Sequence, residues 1–261
     1  MLQLKWYHQF QFAGYYAAEA KGFYRDEGLE VEIREGSPGR IPVDEVLSGR
    51  ADFGVGDEAV LLARLRGEPV VACAAIFQHS PYVVMARADS GIHKPSDLSG
   101  RTVMVGPSEG TAQFLAMLKH EGIPLHAVKL QPHTWNLNDL IEKRVDAITA
   151  YSTVEPTQMR MAGVEPSIIR VADYGVDFYG DTLFTTEAAV KKDRARVAAF
   201  ILATRKGWEY AMEHPAELED LILHKPEVRR RGLRRENLEF EAQEMRSLIL
   251  PDLVDIGHMN L

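Results

Sequence analysis

Cysteine is almost absent: one residue, Cys73, in a chain of 261. An intrachain disulfide and a cysteine-based zinc site are thereby excluded. Cys73 lies inside the apolar run Val70-Val71-Ala72-Cys73-Ala74-Ala75-Ile76, where a thiol reads as a small buried hydrophobe. Long apolar stretches are missing as well, and none approaches the roughly 20 residues that a membrane-crossing helix needs. Met1-Leu2-Gln3-Leu4-Lys5 leads straight into an apparent strand with no secretory signal before it. Either the protein is cytosolic or an export signal or anchor has been removed. Positive charge is scarce: 30 Lys and Arg stand against 38 Asp and Glu, a net charge of −8. A nucleic-acid binder would show a basic face instead. The dense basic run Arg229, Arg230, Arg231, Arg234 and Arg235 is interleaved with Glu227, Glu236 and Glu239, and reads as a solvated, salt-bridged helix surface.

Apolar residues make up 46% of the chain, enough for sizeable cores in one large domain or two lobes. Strands alternate with helices for most of the length, which predicts an α/β fold with largely parallel sheets. Leu2 to Trp6 reads as a strand and Gly14 to Lys21 as a helix stopped by Gly22. Leu29 to Glu35 alternates with period two and reads as a second strand. Ile41 to Ser48 is helical, Ala51 to Val55 a strand, Glu58 to Arg66 a helix and Val70 to Ile76 a strand. Tyr82 to Arg87 is apolar and extended, and is expected to cross between lobes. Strands follow at Thr102 to Val105, Val128 to Leu130, Val145 to Ala150 and Ile168 to Val171. Helices are expected at Thr111 to His120 and Asn138 to Lys143. A long helix, interrupted near Asp193, is expected from Ala188 to Glu213, and the last fifty residues read as mostly helical.

The chain echoes itself. Val46-Leu47-Ser48-Gly49-Arg50-Ala51-Asp52-Phe53-Gly54 is similar to Leu140-Ile141-Glu142-Lys143-Arg144-Val145-Asp146-Ala147-Ile148. Each is a helix end, a basic residue, an apolar or small residue, Asp, then a short strand. Two lobes built alike would aim the strands ending at Val55 and Ala150 at a shared cleft, because ligands of α/β sheets gather at carboxyl ends.

Several side chains could hold a ligand there. Trp6, Tyr7, Phe77, Trp135, Tyr151, Phe178 and Tyr179 fall at expected loop tips; singly each could be core or rim, but as a set they suit a flat aromatic ligand. Tyr151 and Glu155 are four apart, and a helix beginning there would put both on one face. Alternatively, Glu155 is a first-turn carboxylate favoured by the helix dipole. Gly106-Pro107-Ser108-Glu109-Gly110-Thr111 joins a strand to a helix, so Ser108, Glu109, Gly110 and Thr111 could hold an acceptor group at a helix N-terminus, or serve as a capping turn. Asp57 closes Gly54-Val55-Gly56-Asp57, which lacks the full dinucleotide fingerprint. His79-Ser80 is not an activated-serine arrangement, and His120, His126 and His133 read as loop and surface residues rather than metal ligands. No catalytic residue, metal or cofactor is expected.

The opening segment carries a resemblance. Trp6-Tyr7-His8-Gln9-Phe10-Gln11-Phe12-Ala13-Gly14-Tyr15-Tyr16-Ala17-Ala18 is followed by Lys21-Gly22-Phe23-Tyr24-Arg25-Asp26-Glu27-Gly28-Leu29. With Gly49 to Gly56, Pro95 to Val103, and Asp146-Ala147 leading to Tyr151 and Glu155, this resembles the type II periplasmic solute-binding proteins. More narrowly, it resembles the family joining bacterial thiamine-pyrimidine-precursor-binding proteins with the fungal thiamine-pyrimidine synthases. The resemblance implies a two-lobed, Venus-flytrap α/β fold, each lobe a mostly parallel sheet flanked by helices. Lobe one would hold 1–85 and 182–261, lobe two 86–181, with hinge crossovers near 82–90 and 174–184 that close on ligand. It implies that Tyr151 stacks on a pyrimidine-like ring and that Glu155 accepts from its amino group. Where such relatives often carry Asn three and five residues after the Trp, this chain has Gln9 and Gln11. The synthases' cysteine-rich run and reactive His are not seen; the comparable stretch reads Arg64-Leu65-Arg66-Gly67-Glu68. The expectation is a periplasmic or extracytoplasmic receptor, or alternatively a cytoplasmic protein, that is not an enzyme. Its partners would be a small molecule and an ABC permease or a fused signalling domain. An enzyme of pyrimidine biosynthesis and a binder of a sulfonate or nitrate remain the alternatives.

Overall fold

A computed structural model describes residues 1–106 and 108–260, with the backbone alone for 108–110. In chain order it runs β1 (Leu2–Gln3), α1 (Ala13–Ala20), α2 (Phe23–Asp26), β2 (Ile33–Arg34), α3 (Pro42–Leu47), β3 (Phe53–Gly56), α4 (Glu58–Leu65) and β4 (Val70–Ala75). There follow β5 (Tyr82–Arg87), β6 (Thr102–Val105), α5 (Ser108–His120), β7 (Lys129–Pro132), α6 (Asn138–Ile141), β8 (Ala147–Tyr151), α7 (Glu155–Met161) and β9 (Pro166–Arg170). The chain then returns through β10 (Thr182–Thr186), α8 (Glu187–Lys192), α9 (Arg194–Glu213), α10 (Pro215–Leu223), α11 (Pro226–Arg231) and α12 (Arg235–Ile249). These elements form two compact units, residues 1–78 with 179–261, and residues 79–178.

Unit one is built on a sheet of order β2-β1-β3-β10-β4, in which β10 runs antiparallel to both neighbours. Its strands alternate between two cores, as period-two side chains must. Phe53, Val55 and Leu183 face a large core with Phe10, Phe12, Tyr15, Tyr16, Phe200 and Trp208. Phe184 faces the other core with Val43, Val46, Val60 and Ala63. Rings set the packing: Phe53 and Phe200 stack at 3.9 Å, and Trp208 lies edge-on to Tyr15 at 5.8 Å. α1 and α9 touch backbone to side chain, since a β-carbon at Gly14 would fall 2.1 Å from the Trp208 ring and one at Gly207 would fall 2.2 Å from the Gly14 carbonyl.

Unit two repeats the plan with order β7-β6-β8-β5-β9, and here β5 is the antiparallel member. Tyr82, Val84 and Ala86 face a core with Phe114, Met117 and Leu118, while Val83 and Met85 face a second core with Leu140, Ile148 and Met159. Tyr82 to Arg87, expected as a crossover, is therefore an interior strand of one unit. Its unbroken apolar character comes from burial on both faces. The boundary accordingly falls after Gln78 and before Tyr179, rather than at 85/86 and 181/182. β10 escaped the sequence reading because Thr-rich Thr182-Leu183-Phe184-Thr185-Thr186 has little apolar periodicity; Thr185, wholly buried, settles its hydroxyl on the Asp52 carbonyl at 2.7 Å.

The internal echo has matching local geometry. Gly49 and Lys143 both take positive φ, 75° and 60°, at the end of α3 and α6. Arg50 bonds Glu45 at 2.9 Å and Arg144 bonds Asp139 at 2.6 Å. Asp52 binds the amino group of Met1 at the head of β1, and Asp146 binds the Thr102 N–H at the head of β6. The following strands pair in parallel with equivalent partners, Leu2 with Phe53 and Val103 with Ala147.

Candidate functional site

Loops that leave parallel strands at their carboxyl ends gather along one sheet edge, the usual place for a ligand in an α/β fold. In unit one β1, β3 and β4 leave at that edge, and antiparallel β10 enters from it. Lys5, Asp57 and Asp181, far apart in the chain, meet there: Lys5 Nζ is 2.9 Å from Asp57 Oδ2 and 2.8 Å from Asp181 Oδ1. The Asp181 side chain is only 1% exposed. Burial pushes its carboxyl above the ordinary range, while Lys5 and Gln11 pull it back down.

Gln11 extends this cluster. Its Nε2 donates to both Asp181 oxygens, at 3.0 and 2.9 Å, and its Oε1 accepts from Gln9 Nε2 at 2.7 Å. Its backbone N–H donates to Glu241 Oε2 at 3.2 Å. Both amide side chains are buried. Asp57 also caps α4, accepting the Ala59 N–H. Lys5 and Asp181 were not anticipated from sequence; the signal available was a lysine directly after the first strand and an Asp directly before an unrecognised one.

The aromatic candidates of unit one divide. Trp6 is half-buried with its ring 5.1 Å from that of Tyr7, and the Arg231 guanidinium covers Tyr7 at 4.6 Å while pairing with Glu35. Phe77 is wholly buried in the large core rather than at a loop tip. Tyr179 accepts the Asn260 N–H on its hydroxyl at 2.8 Å. Arg64, in the stretch comparable to the synthases' reactive one, pairs with Glu187, and Leu65 is 75% exposed at the far end of α4 from Asp57. The Cys73 thiol, pushed up to about 12 by burial, stays protonated.

In unit two β6, β7 and β8 leave at the corresponding edge and β5 enters. The Gly106 N–H donates to Thr149 Oγ1 and the Gly106 carbonyl accepts from Thr111 Oγ1 at 2.6 Å, so Thr111 secures the turn. The side chains of Ser108 and Glu109 lie outside what is described, and Gly110 has none. Gly106 to Gly110 also has Gly-x-Ser-x-Gly spacing, with Ser108 as the first residue of α5. His133, on the same edge, has both ring nitrogens committed: Nδ1 accepts the Trp135 N–H at 2.9 Å, and Nε2 faces the Thr149 carbonyl at 3.0 Å. Those partners require the neutral Nε2–H tautomer, and burial lowers the imidazole below its ordinary value.

Trp135 stacks on His133 at 4.4 Å, takes φ 60° and is 46% exposed. Phe178 packs on the core of this unit. Tyr151 and Glu155 do not share a helical face, because Tyr151 ends β8 and Glu155 begins α7. A turn joins them instead, with Glu155 Oε2 accepting the Tyr151 N–H at 2.8 Å. Burial pushes the Glu155 carboxyl up, and the Tyr151 ring lies edge-on to Tyr82.

One cavity, of about 470 Å³, opens at the opposite edge of the unit-one sheet, where Met1, Phe53, Phe200 and Arg196 line it. It lies beside the strands' amino ends, away from the Lys5 cluster.

Known proteins place the chain. It is similar to the riboflavin-binding protein RibY of Chloroflexus aurantiacus, at 28% identity over 228 residues, covering 85% of this chain and 65% of that protein. The formylaminopyrimidine-binding protein of Halalkalibacterium halodurans is 28% identical over 227 residues, covering 85% of this chain and 69% of that one. The chain thus spans about two thirds of the length of these curated relatives. The fold matches the periplasmic aliphatic sulphonate binding protein SsuA of Escherichia coli with a TM-score of 0.72 at 14% identity, over 94% of this chain and 83% of that one. The two helix-flanked sheets are those of the type II periplasmic-binding-protein, or Venus-flytrap, fold. The model of the family described as NMT1/THI5 like matches residues 9–218, and the chain belongs to that family.

Proposed function

We propose that this chain is an extracytoplasmic solute receptor that takes a small, flat, nitrogen-containing heteroaromatic molecule of the pyrimidine kind at the carboxyl edge of the unit-one sheet. The observation that carries this is the buried run Lys5–Asp181–Gln11–Gln9, in which charge and amide groups are oriented by one another before any ligand arrives. Preorganised edge-binding groups beside a half-buried Trp6 suit a planar ring with polar substituents. Kinship with proteins named for riboflavin and for formylaminopyrimidine supports the same class. Within unit two taken by itself, Trp135 is the stacking candidate, and Tyr151 and Glu155 are kept as candidate binding residues. Binding favours one conformation over others, which an ABC permease or an attached signalling module would read.

A sulfonate or nitrate is disfavoured by charge. The Lys5 ammonium already lies against two carboxylates, so the trio is net negative and offers an anion little attraction. An enzyme of pyrimidine synthesis is disfavoured by the residues themselves: Arg64 to Glu68 stand where the synthases carry their reactive His, and Cys73 holds its proton.

Thermal shift against aminopyrimidines, riboflavin and alkanesulfonates tests the proposal. A true ligand at about 100-fold its Kd adds about 2.7 kcal/mol of stability. An aminopyrimidine is expected to raise Tm and a sulfonate to leave it unchanged. Stabilisation by sulfonates alone contradicts the assignment.

A further inference from the structure

A buried amide side chain can present either its carbonyl or its NH2 group by a half-turn, and its two ends look alike until their partners are known. At Gln9 that ambiguity is removed from a distance. Resting on the proposal that ligand meets the carboxyl edge of unit one, we infer that Asp181 is a positioning residue that fixes the donor–acceptor sense of Gln9, and so selects ligands that offer an N–H or O–H there.

The chain of consequences starts at a group with no choice. Lys5 donates only, and an ionised carboxylate accepts only. Asp181 takes the Lys5 ammonium at 2.8 Å on Oδ1. Its remaining capacity can meet nothing but a donor, so Gln11 must turn its NH2 group toward it, as the 3.0 and 2.9 Å contacts require. Gln11 Oε1 then faces away, and its neighbour at 2.7 Å must donate. Gln9 therefore gives Nε2 to Gln11, and its Oε1 carbonyl ends the hydrogen-bond run among the described residues. Reversing one amide would set oxygen against oxygen or N–H against N–H. Gln11 is 2% and Gln9 6% exposed, which leaves little room for water to repair the mismatch. Asp57, on the other side of Lys5, pairs with the same ammonium at 2.9 Å.

Asp181→Asn tests the inference. Asparagine keeps its oxygen for Lys5 but offers NH2 to Gln11, which reverses Gln11, then Gln9, and ends the run on a donor. The probes are 4-amino-2-methylpyrimidine, which offers an N–H, and 4-methoxy-2-methylpyrimidine, which offers acceptors alone. Isothermal titration should show the wild type preferring the amino compound by about tenfold, the worth of one hydrogen bond, and Asp181→Asn losing or inverting that preference. Gln11→Met, which cuts the relay without touching the ion pair, should bring the ratio close to one, and serves if Asp181→Asn does not fold. A folded variant of either kind that keeps the wild-type ratio overturns the inference. Wild-type protein that binds neither pyrimidine contradicts the receptor proposal itself and removes the inference with it.

Discussion

Lys5 Nζ lies 2.8 Å from Asp181 Oδ1, joining the loop after the first strand of unit one to the residue before its last. Breaking a buried pair from one side leaves an uncompensated charge and costs about 3–5 kcal/mol. Lys5→Met should therefore lose about that much in urea denaturation at neutral pH. The Asp181 carboxyl is already raised by burial. A raised acid contributes favourably below its unfolded pKa, and that contribution is lost as pH rises through the folded value. Without Lys5 the carboxyl rises further, so the deficit of Lys5→Met should shrink as the medium is acidified. A deficit that grows on acidification would contradict this account.

His8 is held neutral. Burial and the nearby Lys225 and Arg231 bring its imidazole down to about 4, against the opposing pull of Glu35. Its Nδ1 is 2.8 Å from the Tyr16 hydroxyl. For a base with a lowered folded pKa, the favourable contribution is present above about 6.5 and is lost as pH falls toward about 4. His8→Gln should flatten the acid limb of the stability profile between those values. NMR titration should place the wild-type His8 midpoint well below that of a free imidazole.

Gly49 and Lys143 occupy equivalent corners of the internal repeat, and both take the left-handed conformation. There a side chain costs about 1 kcal/mol relative to glycine. Gly49→Ala should destabilise by about that amount even though a β-carbon there would meet open space. Lys143→Gly should stabilise by up to about 1 kcal/mol, less the small value of its exposed ion pair with Asp89. Shifts of opposite sign in chemical denaturation, the gain at Lys143 the smaller of the two, would check the equivalence.

Gly207 has no room for any side chain, because a β-carbon would fall 2.2 Å from the Gly14 carbonyl and 2.7 Å from Ala18. Backbone cannot swing away as a side chain can. Gly207→Ala should cost about 3 kcal/mol, the upper end of ordinary overpacking, whereas Leu202→Ala on the exposed face of the same helix should cost far less. Comparable losses in the two variants would mean that α1 and α9 do not meet as closely as described.

Much of the fold was legible because local signals and tertiary demands agreed. The break at Asp193 was readable, and that residue caps α9 by accepting the Arg196 N–H. The repeat was readable because Asp52 and Asp146 perform the same task at the heads of β1 and β6. What sequence hid was what distant segments decide together. Tyr82 to Arg87 looked like a connector, since an apolar run alone does not say what flanks it. Tyr151 and Glu155 looked like helical neighbours because spacing of four does not reveal a strand end between them. Of the unit-one cluster, Gln9, Gln11 and Asp57 were readable as candidates, while Lys5 and Asp181 were not: each is an ordinary charged residue until β10 brings them together.

NMR of the glutamine side-chain amides during titration with 4-amino-2-methylpyrimidine tests the central claim most directly. Saturable shifts of the Gln9 and Gln11 NH2 signals, lost in Gln9→Ala and Gln11→Ala at their own positions, are the predicted result. Binding that leaves both amides unmoved, and instead perturbs Met1, Phe53 and Arg196 around the cavity at the opposite sheet edge, would contradict it.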